Sequence, residues 1–146
     1  MSQPTQVDPR GLRFGAAITS VVLAASLVLP VRVAVILLGL QAVVFAAGAF
    51  GSVQRAPYGL LFAKAVRPRI GAPLETEDSR PPRFAQLVGL IFLAISLLGF
   101  LSGATVVGYV ATAFALIAAL LNASVGFCLG CEMYLAIRRF APVKAA

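Results

Sequence analysis

The sequence predicts an all-α integral membrane protein that crosses the bilayer four times within one domain, residues 1–146. Sixty per cent of its residues are hydrophobic, against the roughly 45–50% usual in soluble domains. Charged residues make up only 12%, and they cluster. They leave three runs free of Asp, Glu, Lys and Arg, at 14–31, 33–54 and 84–131. These charge-free runs contain the predicted spans.

The length of each run sets the number of spans that it predicts. About 20 apolar helical residues cross a hydrocarbon core of roughly 30 Å. The first two runs therefore predict one helix each, at about 14–30 and 33–51. The third run is too long for one span and breaks at Leu101-Ser102-Gly103-Ala104, which predicts helices at about 84–101 and 105–125. The runs lack the alternating polarity of membrane strands.

Two further helices are expected to lie along the membrane surface rather than across it. Residues 52–83 form the only sizeable loop, and 58–66 within it predict a short interfacial helix with apolar and basic faces. Pro68 and Pro73 are expected to end that helical structure. A second interfacial helix is predicted at about 128–140. The loop's end, 71–83, holds three of the five acidic residues and is interpreted as a solvated connector or a docking loop.

The positive charge is distributed in a way that predicts orientation. The net charge is +7, and eleven of the twelve basic residues fall on one side if both termini are cytosolic. Such a bias is typical of cytoplasmic loops. The sequence therefore predicts a multi-pass protein of the cell inner (plasma) membrane, with the lipid bilayer and not nucleic acid as the partner of the basic residues. The predicted cytosolic set is Arg10, Arg13, Arg55, Lys64, Arg67, Arg69, Arg80, Arg83, Arg138, Arg139 and Lys144, against Arg32 outside.

An internal similarity suggests that the four spans form two related pairs. Residues 8–29 and 78–99 share the pattern D-x-R-x-x-R-F at a shift of 70 positions. We expect two parallel hairpins related by a pseudo-two-fold axis along the membrane normal. The alternative, that unrelated spans share one membrane-boundary pattern, stays open. Only the second half carries a C-x-x-C motif.

That motif, Cys128 and Cys131 in GFCLGCEMY, is the main candidate for chemistry. It follows the fourth span, so the thiols are expected at the cytosolic interface. Residues three apart share a helix face, at a Cα separation that a disulfide accepts. A helix beginning near Cys128 would favour its thiolate. Gly126 and Gly130 are expected to ease opening and closing of the bond.

The cysteine pair has four interpretations. It is a redox-active or sulfur-carrying dithiol, a structural or lipid-facing pair without chemistry, a metal site or an acylation site. A reducing cytosol disfavours a permanent structural disulfide. The chain has no His, so a four-ligand metal site would need two chains pooling four thiols. No cofactor and no metal site within one chain are predicted, and a homo-oligomer stays open.

Gln41 and Asn122 are weaker candidates for substrate binding. Both fall inside predicted spans, where polar groups need partners. They either join helix to helix or line a site beside the cysteines. The predicted spans contain no Asp, Glu, Lys, Arg or His, so a proton relay lacks its usual side chains.

The motifs resemble one known family. VDPRGLRF, LQAVVFAAGAF, PPRFAQ and LNASVGFCLGCEMYL are similar to a family of bacterial integral membrane proteins described as domain of unknown function 4395, from Val7 to about Arg139. The resemblance implies a four-helix inner-membrane protein of unassigned activity. Members often occur beside thioredoxin-like proteins and rhodanese-type sulfurtransferases, which favours thiol chemistry at Cys128 and Cys131.

The resulting functional prediction is a membrane-anchored dithiol in thiol redox or sulfur transfer with a cytosolic thioredoxin-like or sulfurtransferase partner. Whether it is an enzyme stays open. One alternative is a non-enzymatic scaffold that recruits a soluble partner through its basic cytosolic face and the 71–83 loop. Another is a small carrier of a sulfur species with Gln41 and Asn122 as polar contacts.

Overall fold

The computed structural model describes residues 6–141 and is almost entirely helical in that range. It contains four helices that are long and apolar enough to cross a membrane, which confirms the predicted fold class at that level. The four are consistent with a multi-pass membrane protein. They are α1 (Pro9–Val28), α2 (Val31–Ala46, continued by the π-helical turn Ala47–Gly51), α5 (Arg80–Ser102) and α6 (Thr105–Val125).

Helices α1 and α5 begin four to five residues before the charge-free runs from which they were predicted. Asp8 lies at the N-cap of α1, and its carboxylate accepts a hydrogen bond of 2.9 Å from the Arg10 N–H. Asp78 accepts the Arg80 N–H at the same distance. Such bonds satisfy N–H groups that lack partners inside the helix. The charged first turns are therefore helical.

The short elements connect the long helices at one end of the bundle. The prediction that Pro68 ends helical structure is wrong, because a proline in the first turn of a helix needs no N–H partner. The helical segment continues to Gly71, whose φ of 80° reverses the chain. The short helices at this end are α3 (Pro57–Leu61, continued by the π-helical turn Phe62–Val66) and α4 (Arg67–Ile70), which lie between α2 and α5, and α7 (Leu129–Phe140), which follows α6.

The four long helices close into a ring. Helix α1 contacts α2 and α6, and α5 contacts the same two helices. Two short strands that the sequence did not predict, β1 (Gln6–Val7) and β2 (Glu77–Asp78), pair antiparallel. They precede α1 and α5, so they lie where those helices begin. We call this end, with α3, α4 and α7, the cap end, and the other the far end.

Large side chains fill the interior of the ring toward the far end. Leu23, Leu38 and Leu93 are completely buried, and Phe45 and Phe100 pack with them. Because lipid is as apolar as these side chains, close packing and interhelical hydrogen bonds, rather than the hydrophobic effect, hold such helices together.

One buried hydrogen-bond network joins α5 to α6. The hydroxyls of Ser96 and Thr112 lie 2.6 Å apart, and both donate toward the carbonyl of Gly108 at 2.9 and 2.8 Å. Ser96 and Thr112 are fully buried. The network therefore fixes the register of the second pair of helices.

Two arginines tie α1 and α5 to the ends of neighbouring helices. Arg13 donates to the carbonyl of Ser124 at the end of α6, at 2.9 Å. Arg83 donates to the carbonyl of Ala49, in the turn that ends α2, at 3.2 Å. The last carbonyls of a helix lack internal partners and carry partial negative charge. Both contacts therefore stabilise the cap end.

Candidate thiol site

The site begins where α6 ends and α7 starts. Gly126 has a φ of 74° and caps the end of α6. Two residues later, Cys128 is in extended conformation and forms the N-cap of α7. Its sulfur accepts a hydrogen bond from the Cys131 N–H at 3.2 Å. Cysteine thus takes the place that Ser, Thr, Asp or Asn usually fills at a helix start.

Cys128 and Cys131 form a disulfide in the structure. Their Cα atoms are 5.1 Å apart, inside the range that such a bond accepts. Both residues are partly exposed. The first turn of α7 therefore holds the two sulfurs together while leaving them open to attack from outside.

Helix α7 is held against α5 by close packing at the residue between the cysteines. A Cβ on Gly130 would lie 2.6 Å from the Cα and Cβ of Ala85. Phe84 and Tyr134 add a ring contact with centroids 5.7 Å apart. Close approach of two helices therefore explains Gly130, and a positive φ explains Gly126; an easing of bond opening by these glycines stays a prediction.

A cavity of about 430 Å³ opens inside the ring on one side of the disulfide. It exists because the helices carry small residues near the cap end, whereas leucines and phenylalanines fill the bundle near the far end. Phe45, Phe92 and Phe114 are among the residues that line it, and so are Cys128 and Cys131. The small residues include Gly11, Gly15, Ala85, Gly89, Ala118 and Ala119.

A second cavity, of about 300 Å³, also lies against the disulfide, and charged residues are part of its lining. Its walls carry charges of both signs. Cys128 and Cys131 line this cavity too, so the pair separates an apolar interior from a charged surface. The charged residues are Arg13, Glu77, Asp78 and Glu132.

The two weaker candidates from the sequence have different places. Gln41 is 1% exposed; its amide donates to the Thr19 hydroxyl at 3.2 Å and accepts from the Tyr58 hydroxyl at 2.6 Å. It therefore joins α1, α2 and α3. Asn122 lines both cavities, beside Cys128. The structure thus brings Asn122 to the cysteines and leaves Gln41 as a helix–helix contact outside both cavity walls.

The sequence analysis missed the other polar residues of the apolar cavity. Thr19, Tyr58 and Gln86 line it, and burial raises the pKa of the Tyr58 hydroxyl. The available signal was the series of glycines and alanines on α1, α5 and α6. Small residues in membrane helices predict close packing as readily as a cavity, and only the assembled bundle distinguishes the two.

The 71–83 loop is tied to the bundle rather than free. Thr76 donates to the Gln6 side chain at 3.1 Å, and Glu77 pairs with Val7 in the small sheet. Hydrogen bonds from the Arg80 side chain hold the pKa of Asp78 below its usual value. Leu74 at the loop tip is fully exposed. Removing the whole loop would therefore also remove contacts of the fold.

No metal site accompanies the cysteines in the part of the chain that the structure describes. Across 6–141, no group of three or more His, Cys, Asp or Glu side chains could hold a metal ion. The chemistry that the arrangement offers is that of two adjacent sulfurs, which cycle between a disulfide and a dithiol.

Fold and site together define a class of protein, a helical bundle of membrane-spanning type with a C-x-x-C disulfide at one end. The chain belongs to the family described as domain of unknown function DUF4395, whose model matches residues 7–139. This confirms the family indicated by the sequence motifs. No curated protein and no solved structure matches the chain. The family description assigns no activity, so a functional conclusion has to come from the site.

Proposed function

We propose that the protein is a membrane-anchored dithiol that exchanges electrons or sulfane sulfur with a cytosolic thioredoxin-like or sulfurtransferase partner. The observation that carries the proposal is the partly exposed Cys128–Cys131 disulfide at the start of α7. A fully buried pair would be inert toward a protein partner, because thiol–disulfide exchange requires access to the sulfur that is attacked.

The position of Cys128 favours it as the attacking residue. Its sulfur accepts the Cys131 N–H at the start of a helix, and N–H groups and the helix dipole there favour negative charge. In the reduced protein the Cys128 thiolate attacks a partner disulfide, forms a mixed disulfide and releases one partner thiolate. Cys131 then attacks the Cys128 sulfur and releases the second. Two electrons pass to the partner, and the pair closes.

The sulfur-transfer version uses the same first residue. The Cys128 thiolate attacks the outer sulfur of a partner persulfide, takes that sulfur atom and releases the partner thiolate. Attack by Cys131 on the Cys128 sulfur then expels hydrosulfide and closes the disulfide.

We place the cap end in the cytosol, with the protein in the inner (plasma) membrane of a bacterial cell and both termini inside. The support is charge: among the described residues, every Lys and Arg except Arg32 lies near the start of α1 or α5, between α2 and α3, or in α3 with its π-helical turn, α4 or α7. This matches the positive-inside rule. Lys144, counted with this set in the sequence, falls outside the described residues.

We also infer that α1–α2 and α5–α6 are parallel hairpins related by a pseudo-two-fold axis. Val7 pairs with Glu77, its equivalent at the shift of 70 residues, as expected if the axis passes between them. Arg13 and Arg83, also equivalent, each reach the end of the other half's second helix. An experimental structure in which the two hairpins fail to superpose would remove this inference.

The proposed symmetry explains why only one half has the thiols. Phe14 packs on Phe62 as Phe84 packs on Tyr134, with ring centroids 5.7 Å apart in both pairs. A shift of 72 relates Phe62 to Tyr134. The same shift relates the cysteine pair to Ala56 and Gly59. A Cβ on Gly59 would collide with the Val53 carbonyl oxygen, so the first half cannot accept the second cysteine.

The direct test of this function is to trap the partner. In cells that make Cys131→Ser, a mixed disulfide at Cys128 has no resolving thiol and should accumulate. Cys128→Ser is the matched control, because serine also caps a helix start and should trap far less. Intact mass of the trapped species distinguishes a partner disulfide from a persulfide with one added sulfur atom. Equal, low trapping by both variants would contradict the proposal.

A further inference from the structure

We propose that the apolar cavity beside the disulfide binds a lipid-soluble quinone, which takes electrons from the cysteine pair. The inference rests on the proposed function, since it supplies the second substrate of the same dithiol. Because thiol–disulfide exchange is reversible, a reduced soluble partner can also give two electrons to the pair, and in this cycle the pair passes them to a membrane carrier.

The size and lining of the cavity favour a neutral ring compound. Its volume of about 430 Å³ lies in the usual range for small-ligand sites, roughly 300–1,000 Å³. Phe45, Phe92 and Phe114 supply aromatic walls, and Thr19, Gln86 and Asn122 supply a few hydrogen-bonding groups. Mostly apolar walls with a few polar groups are typical of sites that orient one uncharged ligand.

The charges on the cavity wall disfavour the other two-electron carriers. Nicotinamide and flavin nucleotides carry phosphates, which proteins bind with several basic groups or helix N-termini. Within residues 6–141, the only charged residues on this wall are Asp8 and Arg67, one of each sign, and both lie at the cap end. A membrane also concentrates neutral, lipid-soluble carriers, and quinones combine that property with transfer of two electrons.

The disulfide lies where such a transfer requires it. Cys128 and Cys131 line both the larger cavity and the smaller one with charged walls, and so does Asn122. A soluble partner on the charged side and a quinone on the apolar side would therefore reach the same two sulfurs. Neither substrate has to displace the other from its own cavity.

The step balances without any further reactant. Two thiols, on Cys128 and Cys131, lose two electrons and two protons as the S–S bond forms. The quinone gains both electrons and both protons, and its two carbonyl oxygens become the hydroxyls of the quinol. A soluble dithiol partner then reduces the disulfide again by thiol exchange.

The test uses the reduced full-length protein in lipid nanodiscs, without oxygen, and tetramethylbenzoquinone as the probe. This quinone has no open ring position for a thiol to add to. We expect one quinone to be reduced per chain, followed by its absorbance, as alkylation and intact mass show the disulfide closing. The Cys128→Ser and Cys131→Ser variants should not reduce it.

A pair of substitutions on α6 tests the cavity itself. Ala119 lines the cavity, whereas its neighbour Leu120 is half-exposed and outside the lining. Ala119→Phe should slow quinone reduction at least tenfold and leave reduction of the disulfide by thioredoxin unchanged. Leu120→Phe should alter neither rate. Thermal unfolding of both variants shows whether each still folds.

Two outcomes overturn the inference, and they differ in what else they remove. If thioredoxin reduces the wild-type pair but the quinone never reoxidises it, the quinone site is wrong and the proposed function stands. If the pair reacts with neither, both proposals fail. Equal quinone rates in folded Ala119→Phe and wild type would show that the reaction bypasses the cavity, and this too contradicts the inference.

Discussion

The structure predicts that the two cysteines react at different rates once reduced. The perturbation is a pair of single-cysteine proteins, Cys131→Ser, which keeps Cys128, and Cys128→Ser, which keeps Cys131. Both residues are partly exposed. The difference comes from the start of α7, where the Cys128 sulfur accepts a backbone N–H at 3.2 Å and the Cys131 sulfur does not cap the helix.

The size of the effect follows from the energy of a charge at a helix start. Such a charge is stabilised by about 0.3–1 kcal/mol. At about 1 kcal/mol the Cys128 thiolate fraction at neutral pH rises about fivefold. A stabilised thiolate is also a weaker nucleophile, with a Brønsted coefficient of about 0.4–0.5, which removes roughly half of the gain on a logarithmic scale. Cys128 should therefore alkylate about two to three times faster.

The assay is iodoacetamide alkylation of each variant in nanodiscs at pH 7, followed by intact mass. The serine in Cys128→Ser keeps a hydrogen-bond acceptor at the N-cap, so α7 should begin at the same residue in both proteins. The same measurement in denaturant, where α7 is absent, should give nearly equal rates. Faster alkylation of Cys131 than of Cys128 in the folded proteins would refute the assignment of Cys128 as the attacking residue.

Three further predictions concern the parts of the fold that position the site. Asp8→Ala should lower the free energy of unfolding by about 1 kcal/mol at pH 7. Because hydrogen bonds from the Arg10 side chain lower the pKa of Asp8, the stabilisation by Asp8 is complete above the ordinary carboxyl pKa of about 3.9 and is lost as the pH falls through the lower pKa of the folded protein. Thermal melts from pH 7 to 2 should therefore show the stabilities of the wild type and the variant converge. Tyr58→Phe should destabilise by about 1–3 kcal/mol, because it leaves a buried amide oxygen without its donor; an unchanged melting temperature would contradict that role. Gly130→Ala should separate α7 from Ala85 at a cost of about 1–3 kcal/mol and expose the cysteines to faster alkylation, whereas Gly39→Ala, with open space around it, should do neither.

Much of the fold follows from the sequence because the membrane sets simple rules. Charge-free runs of span length predicted four apolar helices, and the structure contains four. The starts of α1 and α5 were misplaced because hydropathy does not register an aspartate that caps a charged first turn, as Asp8 and Asp78 do. The two-residue strands were also missed, since two extended residues carry no periodic signal and Val7 pairs with a residue 70 positions away.

The cysteine pair of the site was predictable from the sequence, whereas the cavities around it were not. The spacing of Cys128 and Cys131 is local, so the sequence allowed a disulfide and a helix start between them, and the structure has both. The cavities depend on which helices meet, and one sequence does not contain that information. Gln41 and Asn122 looked equivalent in the sequence, yet only Asn122 lines the cavities, whereas the Gln41 side chain is bonded between Thr19 and Tyr58.

The most direct test of the central claim is reduction of the disulfide by thioredoxin in sealed vesicles of known orientation. The reduced cysteines are counted with a maleimide that does not cross the membrane. With the cap end outward, the account predicts that thioredoxin exposes two thiols per chain, and that removing it and adding a mild oxidant reverses the labelling. With the cap end inward, no thiol should label. A disulfide that stays closed in both orientations until detergent is added would contradict the account.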